Sequence, residues 1–271
     1  MEPEASLPWL ALTMTPGIAA RLSARLLKEF GSPEGVFRAS LTALEGCNLP
    51  APVAQAIFKK QTFWRAEKEV AAIRRIGCGV VHWHEPEYPQ TLLQIYDPPV
   101  MLYVRGDASI LNAPSLSIVG TRRPTVYGTQ MAQLMGRDLA RRGLTIVSGM
   151  ARGIDAIAHE GATSVGGRAI GVLGTGIDVC YPKENRKLFE KVLERGAIVS
   201  ELPTGSHPAP ENFPGAQPDH CRDASGCGDR RGEGAQRVVN NSAAGDGVWA
   251  RGVWRARERD AGSQLRAEPV D

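Results

Sequence analysis

Three glycine-containing turns are the part of this sequence best suited to bind an anion. They are Gly120-Thr121-Arg122, Ser148-Gly149-Met150 and Gly174-Thr175-Gly176, and each follows a short run of Val, Ile and Leu. Backbone amides in such turns, with the N-terminus of a following helix, can hold phosphate oxygens. Glycine in any one turn could serve only the tight connection, but three turns in series favour a shared phosphate-binding edge.

The first turn differs from known nucleotide loops because it carries two arginines. The run GTRRPTVYG lacks the G-x-G-x-x-G pattern of dinucleotide-binding proteins, and no P-loop pattern occurs. The guanidinium of Arg122 offers a planar fork for phosphate oxygens and a flat face for a base. A plain surface arginine is the alternative.

The third turn leads into the segment GTGIDVCYPKEN, where Lys183 lies near the start of a predicted helix and can reach a phosphate. In the same segment Asp178 can cap the turn and Asn185 can cap the helix, roles that need no ligand. Both kinds of role can coexist.

Asp155 and His159 are four residues apart on one predicted helix, so they share a face. A metal site or an acid–base pair would need a third donor nearby, so a structural hydrogen bond is the favoured role. The five cysteines form no C-x-x-C pair, which argues against zinc. We expect no metal, no cofactor and no catalytic residue.

From Ser115 onward the sequence predicts strands that alternate with helices. Strand-like runs such as LTIVSG and AIGVLG are separated by amphipathic stretches. This alternation is typical of a parallel sheet with helices on both faces. We therefore predict an α/β fold with a Rossmann-like, mostly parallel sheet over residues 113–214.

Residues 1–76 carry helical periodicity and predict a small all-helical domain. Pro16-Gly17 lies between helical stretches, as in SAM-like or helix-hairpin-helix modules that hold a DNA backbone, although a protein-interaction domain fits equally. Residues 77–112 predict a connecting segment packed on the next domain. The acidic start MEPEAS and the absence of an 18-residue apolar run predict a cytoplasmic protein with no membrane segment.

Composition changes abruptly after Pro214. Residues 215–271 hold nine Arg but no Lys, Ile, Phe, Tyr, Met or Thr, and such a stretch cannot supply another apolar strand. We expect residues 215–271 to be a disordered tail and the Rossmann-like domain to be incomplete at its C-terminal end. The net charge of +3 decides nothing about partners by itself.

Several long runs together carry a family resemblance. In order they are YPQTLLQIYDPPVMLYVRGD, SIVGTRRPTVYG, IVSGMARGIDAIAHEGAT, AIGVLGTGIDVCYPKENRKLF and IVSELPTGSHPAPENFP. Over residues 7–214 the chain resembles the DNA-processing protein A (DprA/Smf) family. The resemblance implies an extended Rossmann domain that binds single-stranded DNA, behind a helical N-terminal domain.

The resemblance also implies a function. Members are non-catalytic recombination mediators that protect incoming DNA and help load RecA recombinase in natural transformation, so RecA, single-strand-binding protein and a second copy of the chain are the expected partners. The homodimer is in doubt here because later strands are missing. Arg122 and Lys183 become phosphate-binding residues and Phe213, in ENFP, a base contact. The DNA-binding residues expected on this basis are Gly120, Thr121, Arg122, Ser148, Gly149, Gly174, Gly176, Lys183 and Phe213.

The departure after Pro214 is compatible with a change of reading frame. The family continues from ENFP with a segment like RNRIIAGL, whereas this chain continues GAQPDHCRDASG. The same DNA can be read in a shifted frame, in which each codon takes the last two bases of one residue's codon and the first base of the next. From Ala216 to Gly232 the genetic code then permits the sequence RNRIIAGMPLGVVIVVE. We infer a one-base slip near the codon of Gly215 and expect weakened DNA binding by this polypeptide.

Two other functions fit parts of the sequence. A Rossmann-like nucleotide phosphoribohydrolase of the lysine-decarboxylase-like group shares glycine turns at strand ends, but its PGGxGTxxE-type signature is missing here. A non-catalytic helical adaptor would use the N-terminal helices for protein contacts only.

Overall fold

The computed structural model describes residues 3–95 and 97–209. Six helices follow a short 3-10 helix at Pro3–Ser6: α1 Leu7–Thr13, α2 Ala20–Phe30, α3 Pro33–Arg38, α4 Leu41–Gly46, α5 Ala51–Phe58 and α6 Phe63–Arg75. Ser32 and Ser40 cap α3 and α4 by accepting hydrogen bonds from the amides of Gly35 and Ala43. The helical periodicity of the sequence is therefore realised as six short packed helices.

The rest of the described chain forms one six-stranded sheet and three further α-helices. The strands are β1 Cys78–His82, β2 Met101–Gly106, β3 Ser115–Ser117, β4 Thr145–Ser148, β5 Ala169–Leu173 and β6 Ala197–Ser200. The helices α7 Val126–Arg141, α8 Ile154–Ser164 and α9 Arg186–Arg195 connect β3 to β6, while short 3-10 helices lie at Leu92–Gln94, Ala108–Asn112 and Lys183–Asn185.

Strand order in the sheet is β1-β2-β6-β5-β4-β3. The strands β3 to β6 run parallel, and β1 and β2 extend the sheet in antiparallel pairing, with β2 beside β6. The predicted α/β class with a mostly parallel, Rossmann-like sheet is confirmed. The predicted connecting segment at residues 77–112 contributes two strands to this same sheet.

Within the described residues, α7, α8 and α9 all lie on one face of the sheet, which differs from the expected helices on both faces. Ile146 packs with α7 and α8, and Ile198 packs with α9. The opposite face, with Val147, Val172 and Val199, packs against Tyr88, Leu92 and Ile110. The cause is strand order: β3 to β6 follow one another without reversal, so right-handed crossovers place every helix on the same side.

The helical region and the sheet share one apolar core. Leu10 and Ile57 of the helices belong to the same buried cluster as Met101 of β2 and Phe189 of α9. The boundary near residue 76 is therefore well packed, and the division into domains stays a prediction.

Two predictions concern residues that the structure does not describe. The expected disordered tail at 215–271 and the base contact by Phe213 both lie outside the described residues. Within 3–95 and 97–209, no helix combines the length and apolarity needed to cross a bilayer.

Candidate nucleic-acid interface

The four parallel strands end at the same edge of the sheet, which places the turns that follow them side by side. In the order of the strands, these turns follow β3 at Gly120, β4 at Gly149, β5 at Gly174 and β6 at Leu202. Ligands of open α/β sheets bind at this carboxyl edge. The three turns predicted from the sequence therefore lie on the expected side.

The side chain of Asp155 joins the first turn to the second. Its Oδ1 accepts a hydrogen bond from the Gly120 amide at 3.3 Å, and its Oδ2 accepts one from the Gly149 amide at 3.1 Å. Burial raises the pKa of this carboxyl, and the backbone hydrogen bonds oppose that rise. Asp155 has the structural role that the sequence favoured.

Gly153 brings the same two turns into direct backbone contact. Its φ is +79°, and a Cβ there would lie 2.3 Å from the Thr121 carbonyl oxygen. The next residue, Ile154, donates its amide to that oxygen at 3.2 Å. A residue with a side chain would meet both strain and collision here, so the first turn is fixed against the start of α8.

Asn185 and an ion pair join the second turn to the third. The Asn185 side-chain amide donates to the Met150 carbonyl at 2.8 Å. The Nε and Nη2 of Arg152 both donate to the Glu184 carboxylate, the latter at 2.8 Å. Asn185 precedes α9 but its side chain does not cap that helix. The predicted capping role is therefore wrong, because the amide instead spans the gap between neighbouring turns.

Asp178 joins the third turn to the fourth. Its Oδ1 accepts the Gly205 amide at 2.8 Å, and the Gly176 amide donates to the Ser206 carbonyl at 2.9 Å. Behind them, the Ser200 hydroxyl donates to the Thr175 carbonyl at 2.6 Å. All four turns are thus linked into one continuous edge.

The predicted site residues differ in their exposure to solvent. Gly120, Thr121, Arg122 and Lys183 are exposed, and Gly149 is half-buried. Ser148, Gly174 and Gly176 are buried, and the Ser148 hydroxyl donates to the Ile118 carbonyl at 2.6 Å. In this arrangement Ser148 supports the turn from beneath.

Arg122 and Lys183 flank the second turn on its two sides. Arg122 lies in the first turn, which is bonded to the second through Asp155 and Gly153. Lys183 precedes Glu184 and Asn185, which bond to the second turn from the other side. The bonded framework therefore presents two cations along one edge.

Two exposed tyrosines lie close to these cations in the sequence, and the sequence reasoning gave them no role. Tyr127, in the first turn of α7, is 67% exposed, and Tyr181, two residues before Lys183, is 45% exposed. Aromatic faces next to cations stack on bases without regard to sequence. The signal was present as the aromatic in RRPTVYG, five residues after Arg122.

His159 lies in the interior, on α8. It is fully buried, and neither ring nitrogen has a hydrogen bond of ordinary geometry to the described residues. Burial lowers the pKa of His159 to about 4, which the nearby Ser148 backbone partly opposes. No three potential metal ligands come together in the described part of the chain.

Comparison with known proteins gives a consistent family signal. Residues 79–216, just over half of the chain, match the family described as DNA recombination-mediator protein A. Protein Smf of Synechocystis sp. is 36% identical over 211 residues, which are 76% of this chain and 53% of that protein. DNA processing protein DprA of Bacillus subtilis is 35% identical over 156 residues, 57% of this chain and 52% of that protein. The chain spans about half the length of these relatives.

A solved structure supports the fold. The X-ray structure of DNA processing protein A from Streptococcus pneumoniae aligns with a TM-score of 0.66 at 24% identity, covering 89% of this chain and 75% of that chain.

Proposed function

The chain belongs to the DNA recombination-mediator protein A family, and on that premise we propose that the carboxyl edge of its sheet binds single-stranded DNA. The observation that carries the proposal is the pair of exposed cations, Arg122 and Lys183, on either side of the second turn. Phosphates of one strand are regularly spaced anions, and a bonded row of turns with cations along it fits such a ligand.

The chemistry of the edge suits an unpaired strand better than a duplex. The two cations contact phosphates, since the amides of Gly120, Gly149 and Gly176 already donate within the protein. Tyr127 offers a face on which a base can stack. Stacking requires bases that are not paired with a second strand. Since every base has such a face, binding is independent of sequence.

The cellular role follows the family. We propose a non-catalytic mediator in the cytoplasm that protects incoming DNA and helps load RecA recombinase during natural transformation. RecA, single-strand-binding protein and a second copy of the chain are its proposed partners. The family assignment favours this role over the nucleotide phosphoribohydrolase and over a helical adaptor.

We further propose that this polypeptide binds DNA more weakly than a chain with the other reading frame after Pro214. The family segment RNRIIAGL is replaced here by residues without strand-forming character. Moving the coding sequence by one base at codon 215 gives a frame-restored chain for comparison, and sequencing the gene at that codon tests the slip itself.

The proposed function is tested by fluorescence anisotropy with labelled oligo-dT. We expect the frame-restored chain to bind, and Arg122→Ala to weaken binding about tenfold or more, consistent with about 1.4 kcal/mol for a phosphate contact. Arg168→Ala is the matched control, since exposed Arg168 precedes β5 at the opposite edge of the sheet. Equal loss in both variants, or no loss in either, contradicts the proposal.

A further inference from the structure

A second cluster of cations and exposed aromatic side chains lies on the helical region, at the corner between α5 and α6. Phe58, the last residue of α5, is 50% exposed, and Trp64, the second residue of α6, is 57% exposed. Exposed apolar side chains that lie together, rimmed by polar residues, are typical of interaction sites. Neither aromatic belongs to the edge described above.

The two aromatics are held at one corner by a tight connection. The Lys60 amide donates to the Ile57 carbonyl at 2.9 Å, and the Gln61 amide donates to the Ala56 carbonyl at 3.0 Å. Lys60 itself has a φ of +52°. A hydrogen-bonded connection of only four residues therefore separates the end of α5 from the start of α6.

Cations surround these aromatics. The run from Phe58 to Lys68 holds Lys59, Lys60, Arg65 and Lys68 against one acidic residue, Glu67, and all five charged side chains are exposed. The Lys68 ammonium lies 4.7 Å from the centre of the Trp64 ring. A cation against an aromatic face is the arrangement that accepts a base on the ring and a phosphate on the ammonium.

The glycine turn between α1 and α2 lies next to this corner. The Thr15 and Thr62 hydroxyls are 3.1 Å apart, and both share the Ala11 carbonyl at 2.8 Å. A Cβ on Gly17 would lie 2.9 Å from the Val53 side chain. The Pro16-Gly17 turn is therefore anchored close to the start of α6.

We propose that this corner is a second contact surface for single-stranded nucleic acid, with Trp64 and Phe58 stacking on bases and Lys60 and Lys68 contacting phosphates. The choice of ligand rests on charge complementarity, since four cations beside two exposed rings match a polyanion with flat faces. An acidic protein would use the cations but leave the rings without matching groups. The proposal names the same ligand class as the proposed function, yet it depends on different residues and can fail alone.

The test uses the full chain and an oligo-dT substituted with 5-iodouracil, which cross-links on irradiation to side chains that stack on it. We expect cross-linked peptides that contain Trp64, and we expect them to persist in Arg122→Ala. Trp64→Ala should lower the affinity for a 20-nucleotide strand several-fold, and Trp64→Phe should restore most of it because the ring is kept. Glu67→Gln should raise the affinity, because one negative charge is removed.

Failure has a distinct pattern for each site. Unchanged affinity in Trp64→Ala, without cross-links at residues 58–68, overturns the second surface. Cross-links at Trp64 that vanish in Arg122→Ala also overturn it, since the corner would then have no contact of its own. The affinity of Arg122→Ala tests the sheet edge alone, so a loss of binding in that variant neither supports nor overturns the second surface.

Discussion

The carboxylate of Glu69 accepts two hydrogen bonds from Thr204, one from the backbone amide at 2.7 Å and one from the hydroxyl at 2.8 Å. Glu69 lies on α6, and Thr204 lies in the turn after β6. The helical region therefore holds the fourth turn of the candidate DNA-binding edge. Glu69 is buried, so its charge depends on these donors for compensation.

Glu69→Gln removes one of these two charge-assisted bonds, because an amide has only one acceptor oxygen. We expect a loss of about 1–3 kcal/mol in the free energy of unfolding, measured by urea denaturation. The control is Glu67→Gln, since Glu67 is exposed on the same helix, and this variant should change the free energy of unfolding little. Similar stability of the two variants would show that the contact between Glu69 and Thr204 does not contribute to the free energy of unfolding.

His159 predicts a specific dependence of stability on pH. Its pKa is lowered to about 4 in the folded chain, against 6.5 when unfolded. The unfolded chain therefore takes up a proton first, and stability falls as pH decreases from about 6.5 to about 4. This residue should account for on the order of 3 kcal/mol of that fall.

His159→Leu should remove this part of the pH dependence, since leucine fills a similar volume without titrating. The measurement is the free energy of unfolding at pH 7 and at pH 4.5, with the exposed His207→Gln as the control. A parent and a His159→Leu variant with parallel pH profiles would contradict the buried neutral histidine.

Gly153→Ala tests the contact between the first two turns. Alanine at a φ of +79° is strained, and its Cβ would collide with the Thr121 carbonyl. Gly31→Ala is a matched control, with a φ of +77° but open space around its Cβ. We expect Gly31→Ala to cost about 1 kcal/mol of unfolding free energy and Gly153→Ala to cost more, with weaker DNA binding as well. Equal cost would mean that the first turn is free to move.

Tyr127 tests base stacking at the sheet edge. Tyr127→Ala in the frame-restored chain should weaken oligo-dT binding by about 1–3 kcal/mol, and Tyr127→Phe should keep most of the affinity. Anisotropy titrations measure both. If phenylalanine is as weak as alanine, the hydroxyl matters and the stacking assignment is wrong.

The local parts of this fold were readable from sequence, and the distant pairings were not. Runs such as LTIVSG and AIGVLG gave the parallel strands, and glycine turns at their ends gave the binding edge. The antiparallel pairing of β2 with β6 joins Tyr103 to Ser200, which no local pattern encodes. Helices on a single face follow from strand order, and strand order is likewise set by distant contacts.

The same distinction applies to the site. Arg122 and Lys183 were predicted because cations in turns after strands have an evident use. The bond from Asn185 to Met150 was missed, since its position before α9 predicts a helix cap equally well. Glu69 looked like an ordinary helix glutamate, and only its partner, 135 residues away, gives it a role.

The salt dependence of oligo-dT binding tests the central claim most directly, because its slope counts the phosphates that a protein neutralises. For the frame-restored chain carrying both Arg122→Ala and Lys183→Ala, the slope of log affinity against log salt should fall by about 1.4, or about 0.7 for each lost contact to a single strand. A double variant that keeps the parent's slope and affinity would contradict a DNA-binding edge built on these two residues.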